Sequence, residues 1–180
     1  MLAEKLFTNE DDFQKLREQS YTAVELIDDV VYMSPAPTPN HQKVNYKISK
    51  SFDDFLNGGK CEMLQGINLR LYDTNKNKIG DVIPDISVFC DAKDLNSTFI
   101  EDIPVIVVEI VSPSSIYLDN FRKAYLYERV GISEYWIVDL KTKSITIWDF
   151  RNDEKYTYNE CDIARSTVFV EFTIDLTSLF

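Results

Sequence analysis

The stretch Val105-Ile106-Val107-Val108-Glu109-Ile110-Val111 is an apolar run that contains a single carboxylate. Its residues are apolar at both odd and even positions, which predicts a central strand that is covered on both faces. Because burial of an unpaired carboxylate costs on the order of several kcal/mol, Glu109 needs a counterion, a proton or a cleft. The run therefore predicts the middle of a sheet and, within it, a place where chemistry can occur.

A second carboxylate lies in the run Val82-Ile83-Pro84-Asp85-Ile86-Ser87-Val88-Phe89, which we interpret as another strand. Adjacent strands lie ~4.8 Å apart, so Asp85 and Glu109 can come within reach of one metal ion. Hard cations such as Mg²⁺ bind one or two carboxylates together with water. In a chain with 30 Asp and Glu residues, the alternative is that either acid faces a rim or pairs with an arginine.

The whole chain has the length and composition of one domain. Its 180 residues suit a single core over residues 1–180. No apolar stretch approaches the ~20 residues of a membrane helix, and acids follow Met1–Lys5 where a signal peptide would be apolar. We therefore expect a cytoplasmic protein without membrane contact. Three distant cysteines, Cys61, Cys90 and Cys161, form no C-x-x-C pair, which favours reduced core thiols over a disulfide or a zinc site.

The formal net charge of −11 counts against nucleic-acid binding unless basic residues are concentrated locally. Basic residues cluster over residues 43–50 and 70–78. Such clusters are more often solvated faces than binding surfaces, so they are weak support for DNA binding.

Turn and cap signals divide the chain into strands and helices. Thr8 and the acids after it begin a short helix, and Asp28-Asp29 joins two strands of a hairpin. Thr38 caps a long helix with Pro39 at its first position, and Asn57-Gly58-Gly59 ends it.

The C-terminal half contains a strand, a helix and a second strand in succession. The Glu109 strand is followed by a turn at Ser112–Ser115, a helix from Leu118 to Val130 and a strand from Glu134 to Asp139. A β-α-β unit has parallel strands, so the pattern predicts an α/β fold with a mixed sheet and helices on its faces. Ser144–Phe150 is expected as a further strand at an exposed edge.

Short motifs occur in one order along nearly the whole chain: Glu25–Asp28, Met33-Ser34-Pro35, His41, Pro84-Asp85, Val107–Ser115, Asp119, Lys123, Tyr127 and Gly131 to Asp139. This ordered set resembles a widespread bacterial family of restriction-endonuclease-like proteins in the PD-(D/E)XK nuclease superfamily. The resemblance implies a restriction-endonuclease-like mixed β-sheet flanked by helices. It also implies a Mg²⁺- or Mn²⁺-dependent phosphodiester hydrolase in which Asp85 and Glu109 hold the metal.

The superfamily pattern places a lysine two residues after the acid, and Val111 occupies that position here. The sequence resembles the variant in which the lysine has moved to the following helix, which makes Lys123 the candidate. Lys123 shares a helix face with the apolar Leu126 and Val130, where a lysine is poorly placed for bulk water. The alternative is a surface pair between Lys123 and Asp119.

The same helix carries an apolar stripe, Leu118, Phe121 and Tyr125, on a face different from that of Lys123. In the first strand of the hairpin at Asp28-Asp29, Glu25 shares a face with Ala23 and Ile27, which is an unusual setting for a solvated acid. Glu25 is therefore either a third acid of the site or half of a buried salt bridge.

His41 is the single histidine and lies in the first turn of the helix capped by Thr38. That position tends to keep it neutral and able to hydrogen-bond to substrate or to an acid. A core or capping histidine is the alternative. Trp136 is expected in the core.

Two hypotheses of function follow. The first is a Mg²⁺- or Mn²⁺-dependent endonuclease that acts on DNA, with Lys123 stabilising charge in the transition state. A homodimer is expected by analogy, because two active sites cut two strands. The second is a non-catalytic nuclease-like binding or assembly module whose acidic surface binds a basic partner.

Overall fold

The computed structural model describes residues 2–6, 10–93, 95–111 and 118–180. The helices among these residues are α1 Glu10–Gln19, α2 Pro39–Leu56, α3 Leu118–Val130 and α4 Leu176–Leu179. The strands are β1 Leu2–Leu6, β2 Ala23–Ile27, β3 Val30–Ser34, β4 Cys61–Gln65, β5 Leu69–Tyr72, β6 Lys78–Val82, β7 Ile86–Cys90, β8 Ile106–Val111, β9 Glu134–Asp139, β10 Ser144–Asp149, β11 Glu154–Tyr158, β12 Ile163–Arg165 and β13 Thr173–Asp175. None of the helices in these ranges is long and apolar enough to cross a membrane.

The larger sheet has the strand order β11-β10-β9-β8-β7-β4. β8 and β9 are parallel and are joined through α3, whereas the other neighbours pair antiparallel, so the sheet is mixed. Every residue of β8 is buried, as its apolar run predicts. α2 covers one face of this sheet and α3 contributes to the core on the other. The predicted α/β fold class is confirmed.

The cap predicted for α2 is present. The backbone N–H of His41 donates to Oγ1 of Thr38 at 3.2 Å, and Pro39 occupies the first turn. Val44, Ile48 and Phe52 recur on one face and are fully buried against the larger sheet. The cap fixes where the helix begins and therefore where His41 lies.

The smaller sheet has the order β1-β3-β2-β6-β5 and is antiparallel throughout. Asp28 and Asp29 both adopt positive φ and close the hairpin between β2 and β3, as expected. Phe13 of α1 packs on this sheet, whose other face shares a core with α3 and the larger sheet. Thr8, the expected start of α1, lies outside the described residues.

The single strand predicted over Val82–Phe89 is wrong. β6 ends at Val82 in the smaller sheet, and β7 begins at Ile86 in the larger one. Pro84 lies between them, where it has no N–H to give to a ladder. β6 begins at Lys78, so the strand also extends further toward the N-terminus than the run indicates.

One residue of β6 controls the approach of α3. A β-carbon at Gly80 would lie 3.1 Å from Cδ2 of Leu126, closer than ordinary packing allows. The helix therefore rests directly on the backbone of the smaller sheet at this point.

Two residues of the apolar stripe on α3 lie outside the core. Phe121 is 51% and Tyr125 59% exposed, whereas Leu126, Tyr127 and Val130 are buried. The opposite face of the helix is thus the one that lies in the core, and it carries Lys123. The turn expected at Ser112–Ser115 and the side chain of Asp119 lie outside the described residues.

Two further expectations are corrected. Cys61 and Cys90 lie opposite each other in β4 and β7 and form a disulfide, and Cys161 is exposed, so these are not reduced core thiols. The strand from Ser144 is not at an edge, because β11 pairs with it on the outer side. The disulfide has no local sequence signal, since it depends on contacts between separated segments, whereas β10 and β11 form a hairpin joined by a turn at residues 150–153.

Candidate active site

The five residues selected from the sequence line one cleft of about 550 Å³. Glu25 comes from β2, His41 from α2 and Glu109 from β8. Asp85 comes from the segment that joins the two sheets, and Lys123 comes from α3. The cleft therefore forms where the two sheets and two helices meet.

Asp85 is fixed by the backbone of its neighbouring strand. It directly precedes β7, whose first residue, Ile86, pairs with Val108 of β8. The N–H of Ile110 donates to Oδ2 of Asp85 at 2.8 Å. Asp85 and Glu109 thus come from adjacent positions on paired segments, as the sequence predicts, although Asp85 is not inside a strand.

His41 lies with Nε2 3.3 Å from Oδ2 of Asp85. Burial lowers the pKa of His41, but the hydrogen bond and charge of Asp85, together with the charge of Glu109, outweigh burial and raise that pKa. The carboxylate of Asp85 thus opposes the effect on the pKa of His41 that we expect from the helix terminus.

Lys123 joins two acids inside the protein. Its Nζ donates to Oε1 of Glu109 at 2.8 Å and to Oε1 of Glu25 at 2.9 Å. Lys123 is only 5% exposed, so the alternative of a surface pair is wrong. The hydroxyl of Tyr127 also donates to Oε1 of Glu109, at 2.9 Å. One oxygen of Glu109 therefore receives both a charged and a neutral donor.

Burial sets the protonation of this cluster. Burial, with the charges of Glu25 and Asp85, raises the pKa of Glu109 to about 7 against the opposing charge of Lys123. Burial also lowers the pKa of Lys123, but the charges of Glu109 and Glu25 outweigh it and hold that pKa above its usual value. These shifts favour a charged Lys123 and a Glu109 that ionises less readily than an exposed glutamate.

Glu25 is part of a buried salt bridge, which was one of its two predicted roles. Besides Lys123, its Oε1 accepts the N–H of Ile83 at 2.8 Å. The side chain is almost completely buried. Glu25 thereby links β2 to the segment that carries Asp85.

Two residues of the cleft region were missed as site residues. Tyr127 lies four residues after Lys123, and Asn45 lies four residues after His41. Oδ1 of Asn45 accepts hydrogen bonds from Ser49 at 3.1 Å and from Gln65 at 3.0 Å. The spacing of four along each helix is the signal that could have found them, because such residues share a face.

The donor set of the cleft fits a hard divalent cation. Within the described ranges, no group of three or more His, Cys, Asp or Glu side chains forms a complete metal-binding cluster. The hydrogen bonds described above use Oδ2 of Asp85 and Oε1 of Glu109, so the second oxygen of each carboxylate is not used by them. Two carboxylates completed by water and phosphate oxygens suit Mg²⁺ or Mn²⁺, which bind oxygen ligands.

A mixed sheet flanked by helices, with two acids and a buried lysine in one cleft, defines a nuclease-like α/β protein. The fold is similar to the crystal structure of a putative nuclease belonging to DUF820 from Anabaena variabilis, with a TM-score of 0.80 and 17% identity, covering 94% of this chain and 96% of that one. An uncharacterized protein from Synechocystis sp. is 25% identical over 171 residues, which cover 92% of this chain and 88% of the relative.

The chain belongs to the Uma2 family, described as "Putative restriction endonuclease", which it matches over residues 10–177. This membership confirms the family resemblance that the ordered motifs carry. It supports a nuclease-like function and makes nucleic acid the class of partner.

Proposed function

We propose that the protein is a metal-dependent endonuclease that hydrolyses phosphodiester bonds of DNA with Mg²⁺ or Mn²⁺. The observation that carries the proposal is the convergence of Asp85, Glu109 and Lys123 on one cleft from three separate elements. Membership of a family of putative restriction endonucleases supports the same chemistry.

Asp85 and Glu109 are the residues that would hold the ion, with the carbonyl of Ile110 or Val111 as a candidate further ligand. When bound, the ion supplies a Lewis acid for the phosphoryl oxygen and lowers the pKa of the attacking water. Lys123, held as a cation by two acids, stabilises the negative charge that develops on the phosphoryl group.

Two neighbours position these groups. Glu25 binds Lys123 and the backbone of Ile83, so it holds the lysine against the segment that carries Asp85. His41 lies against Asp85 and limits the orientations that this carboxylate can take. Glu25 therefore acts through Lys123, and His41 acts through Asp85.

The acidic surface places a condition on the substrate. Arg70 and Lys78 are paired with Asp81, and Lys50 is paired with Asp54, so these basic residues are already partly neutralised. Phosphate charge must then be met by Lys123 and the ion in the cleft and by basic residues outside these pairs. We therefore expect weak DNA binding that is sensitive to salt.

The test is a calorimetric titration of Mn²⁺ at low salt, combined with a DNA cleavage assay. The variants are Asp85→Asn and Glu109→Gln, with Asp54→Asn as the control, because Asp54 is an exposed acid on α2. We expect the first two variants to lose metal binding and to lower the cleavage rate by about 10³-fold or more. The control should behave as wild type.

The opposite outcome identifies the alternative function. If wild type cleaves no DNA with either metal, and the two variants bind a nucleic acid or protein partner as wild type does, the protein is a non-catalytic module. In that case the buried acids serve the fold alone.

A further inference from the structure

A second groove, of about 370 Å³, begins at Val111, which also lines the catalytic cleft. From there it crosses β9, β10 and β11 on the face of the larger sheet that carries Glu109 and α3. Phe121 of α3 forms one wall and Trp148 of β10 another. The groove is therefore continuous with the cleft but uses none of the five residues described there.

The chemistry of the groove differs from that of the cleft. Nζ of Lys155 lies 4.5 Å above the ring of Trp148, and Phe121 packs edge-on against the same ring at 6.3 Å between centroids. Hydroxyl groups line the rest, in the pairs Thr142–Ser144 and Thr146–Thr157. A cation beside an aromatic platform suits a flat ring that carries a negative group.

One polar atom in this wall lacks a partner. Nε1 of Trp148 is buried and, within the part of the chain that the structure describes, makes no hydrogen bond. The acid of the groove, Asp139, is already engaged, since its Oδ1 accepts the N–H groups of Lys141 and Thr142. Nε1 of Trp148 is closed off from the groove as well as from solvent, so Lys155 is the group of this wall that can meet an anionic ligand.

A similar pairing of cation and ring lies on the other side of the cleft. A third cavity, of about 410 Å³, shares Gly66 and Ile83 with the cleft. Phe99 lines this cavity, and Cζ of Arg70 lies 3.9 Å above its ring. Cation and aromatic ring therefore recur on both sides of the candidate active site.

We propose that the groove at Trp148 binds an unpaired nucleotide of a nucleic-acid strand that crosses the catalytic cleft. The inference rests on the proposed function and specifies its substrate as DNA that is single-stranded near the cut. A duplex hides the faces of its bases in the stack, whereas an unpaired base can lie on an aromatic ring while its phosphate meets a lysine. Lys155 and Trp148 supply those two contacts.

Tryptophan fluorescence provides a direct test in the intact chain. The chain has two tryptophans, and Trp136 is completely buried in the core, so quenching by a base reports Trp148. The probe is an oligothymidylate of about ten nucleotides, titrated in EDTA at low salt so that no cleavage occurs, with a duplex of equal length for comparison. Trp148→Phe should abolish the quenching, because it removes the fluorophore that the base contacts.

The matched pair of charge variants is Lys155→Glu in the groove and Lys141→Glu on the exposed turn that precedes β10. We expect the oligothymidylate to quench Trp148 and bind more tightly than the duplex, and Lys155→Glu to weaken its binding about tenfold. Lys141→Glu should weaken it by less than about threefold. Each variant is checked for native circular dichroism.

The outcomes separate this inference from the proposed function. If wild type cleaves DNA with Mn²⁺ but the oligothymidylate leaves Trp148 unquenched, or both lysine variants weaken binding equally, the groove is not a nucleotide site and the nuclease stands. If the oligothymidylate quenches Trp148 and no DNA is cleaved, the groove stands and the nuclease fails. If the oligothymidylate does not quench Trp148 and no DNA is cleaved, both the nucleotide site and the nuclease are overturned.

Discussion

Two of the ionic clusters that bury acidic side chains have opposite charge balance. In the cleft, Glu25 and Glu109 share the single cation of Lys123. In the smaller sheet, the completely buried Asp81 is shared by three cations, Arg17, Arg70 and Lys78. Both clusters contain a buried acid, so burial alone does not distinguish a functional site from a structural one.

The balance of charge makes that distinction. The first cluster has more carboxylates than cations, so it can accept a divalent ion without first losing a partner. The second has a saturated carboxylate, and Glu10 at its rim pairs with Lys78 and Arg70. We propose that this excess of carboxylates over cations marks the first cluster as the metal site.

The largest effect is expected at the cation of the first cluster. Lys123→Met should lower the rate of DNA cleavage by about 10²–10³-fold, because it removes a charge aimed at the transition state. Mn²⁺ affinity should be retained, since Glu109 no longer shares its charge with a lysine. Cleavage rates and calorimetry measure both effects. Lys43→Met, an exposed lysine on α2, is the control, and cleavage at the wild-type rate in Lys123→Met would remove Lys123 from the mechanism.

A substitution in the second cluster should lower the stability of the protein and leave its cleavage rate unchanged. Asp81→Asn leaves three cations without their shared carboxylate, so the free energy of unfolding should fall by about 3 kcal/mol. Urea denaturation measures this loss. The cleavage rate per folded molecule should stay at the wild-type value. If Asp81→Asn keeps its stability but loses cleavage, then the second cluster belongs to the functional site and is not merely structural.

A pH series of stability measurements on the metal-free protein tests whether the shortage of cations in the first cluster raises the pKa of Glu109. The pKa of Glu109 is raised from 4.5 to about 7, so its contribution to stability is complete below 4.5 and is lost as the pH rises through about 7. Wild type should lose up to about 3 kcal/mol relative to Glu109→Gln over this range. Parallel stability curves for the two proteins would show that Glu109 is ionised throughout.

The smallest effect is expected at Glu25. Glu25→Gln keeps an oxygen for the N–H of Ile83 and for Lys123, so the free energy of unfolding should fall by only about 1 kcal/mol. The cleavage rate should fall several-fold because Lys123 is held less firmly, while Mn²⁺ affinity should not change. A loss of Mn²⁺ affinity comparable to that of Glu109→Gln would make Glu25 a metal ligand.

The sequence predicted those features of the fold and site that depend on local pattern. The unbroken apolar run around Glu109 predicted a strand buried on both faces, and helical spacing placed Lys123 away from bulk water. The cap at Thr38 predicted where α2 begins, and this fixes the position of His41. Each of these signals comes from residues in the same strand as the residue concerned, or within about one or two helical turns of it.

Features that depend on distant partners could not be predicted in the same way. The exchange of sheets at Pro84 depends on which neighbours β6 and β7 find, and the disulfide depends on the register of β4 with β7. On α3, two faces carried apolar residues, and only the position of the smaller sheet decides that Phe121 is exposed. The direction of the pKa shift of His41 likewise follows from the position of Asp85.

The missing side chain at Gly80 has a consequence for how this enzyme-like cleft can change. Leu126, which contacts that position, follows Lys123 by one helical turn. An alanine at residue 80 would press on the Cδ atoms of Leu126, which would have to move by a few tenths of an ångström to admit it. Residue 80, which lies outside the cleft, therefore sets how closely the helix that carries Lys123 can approach the smaller sheet.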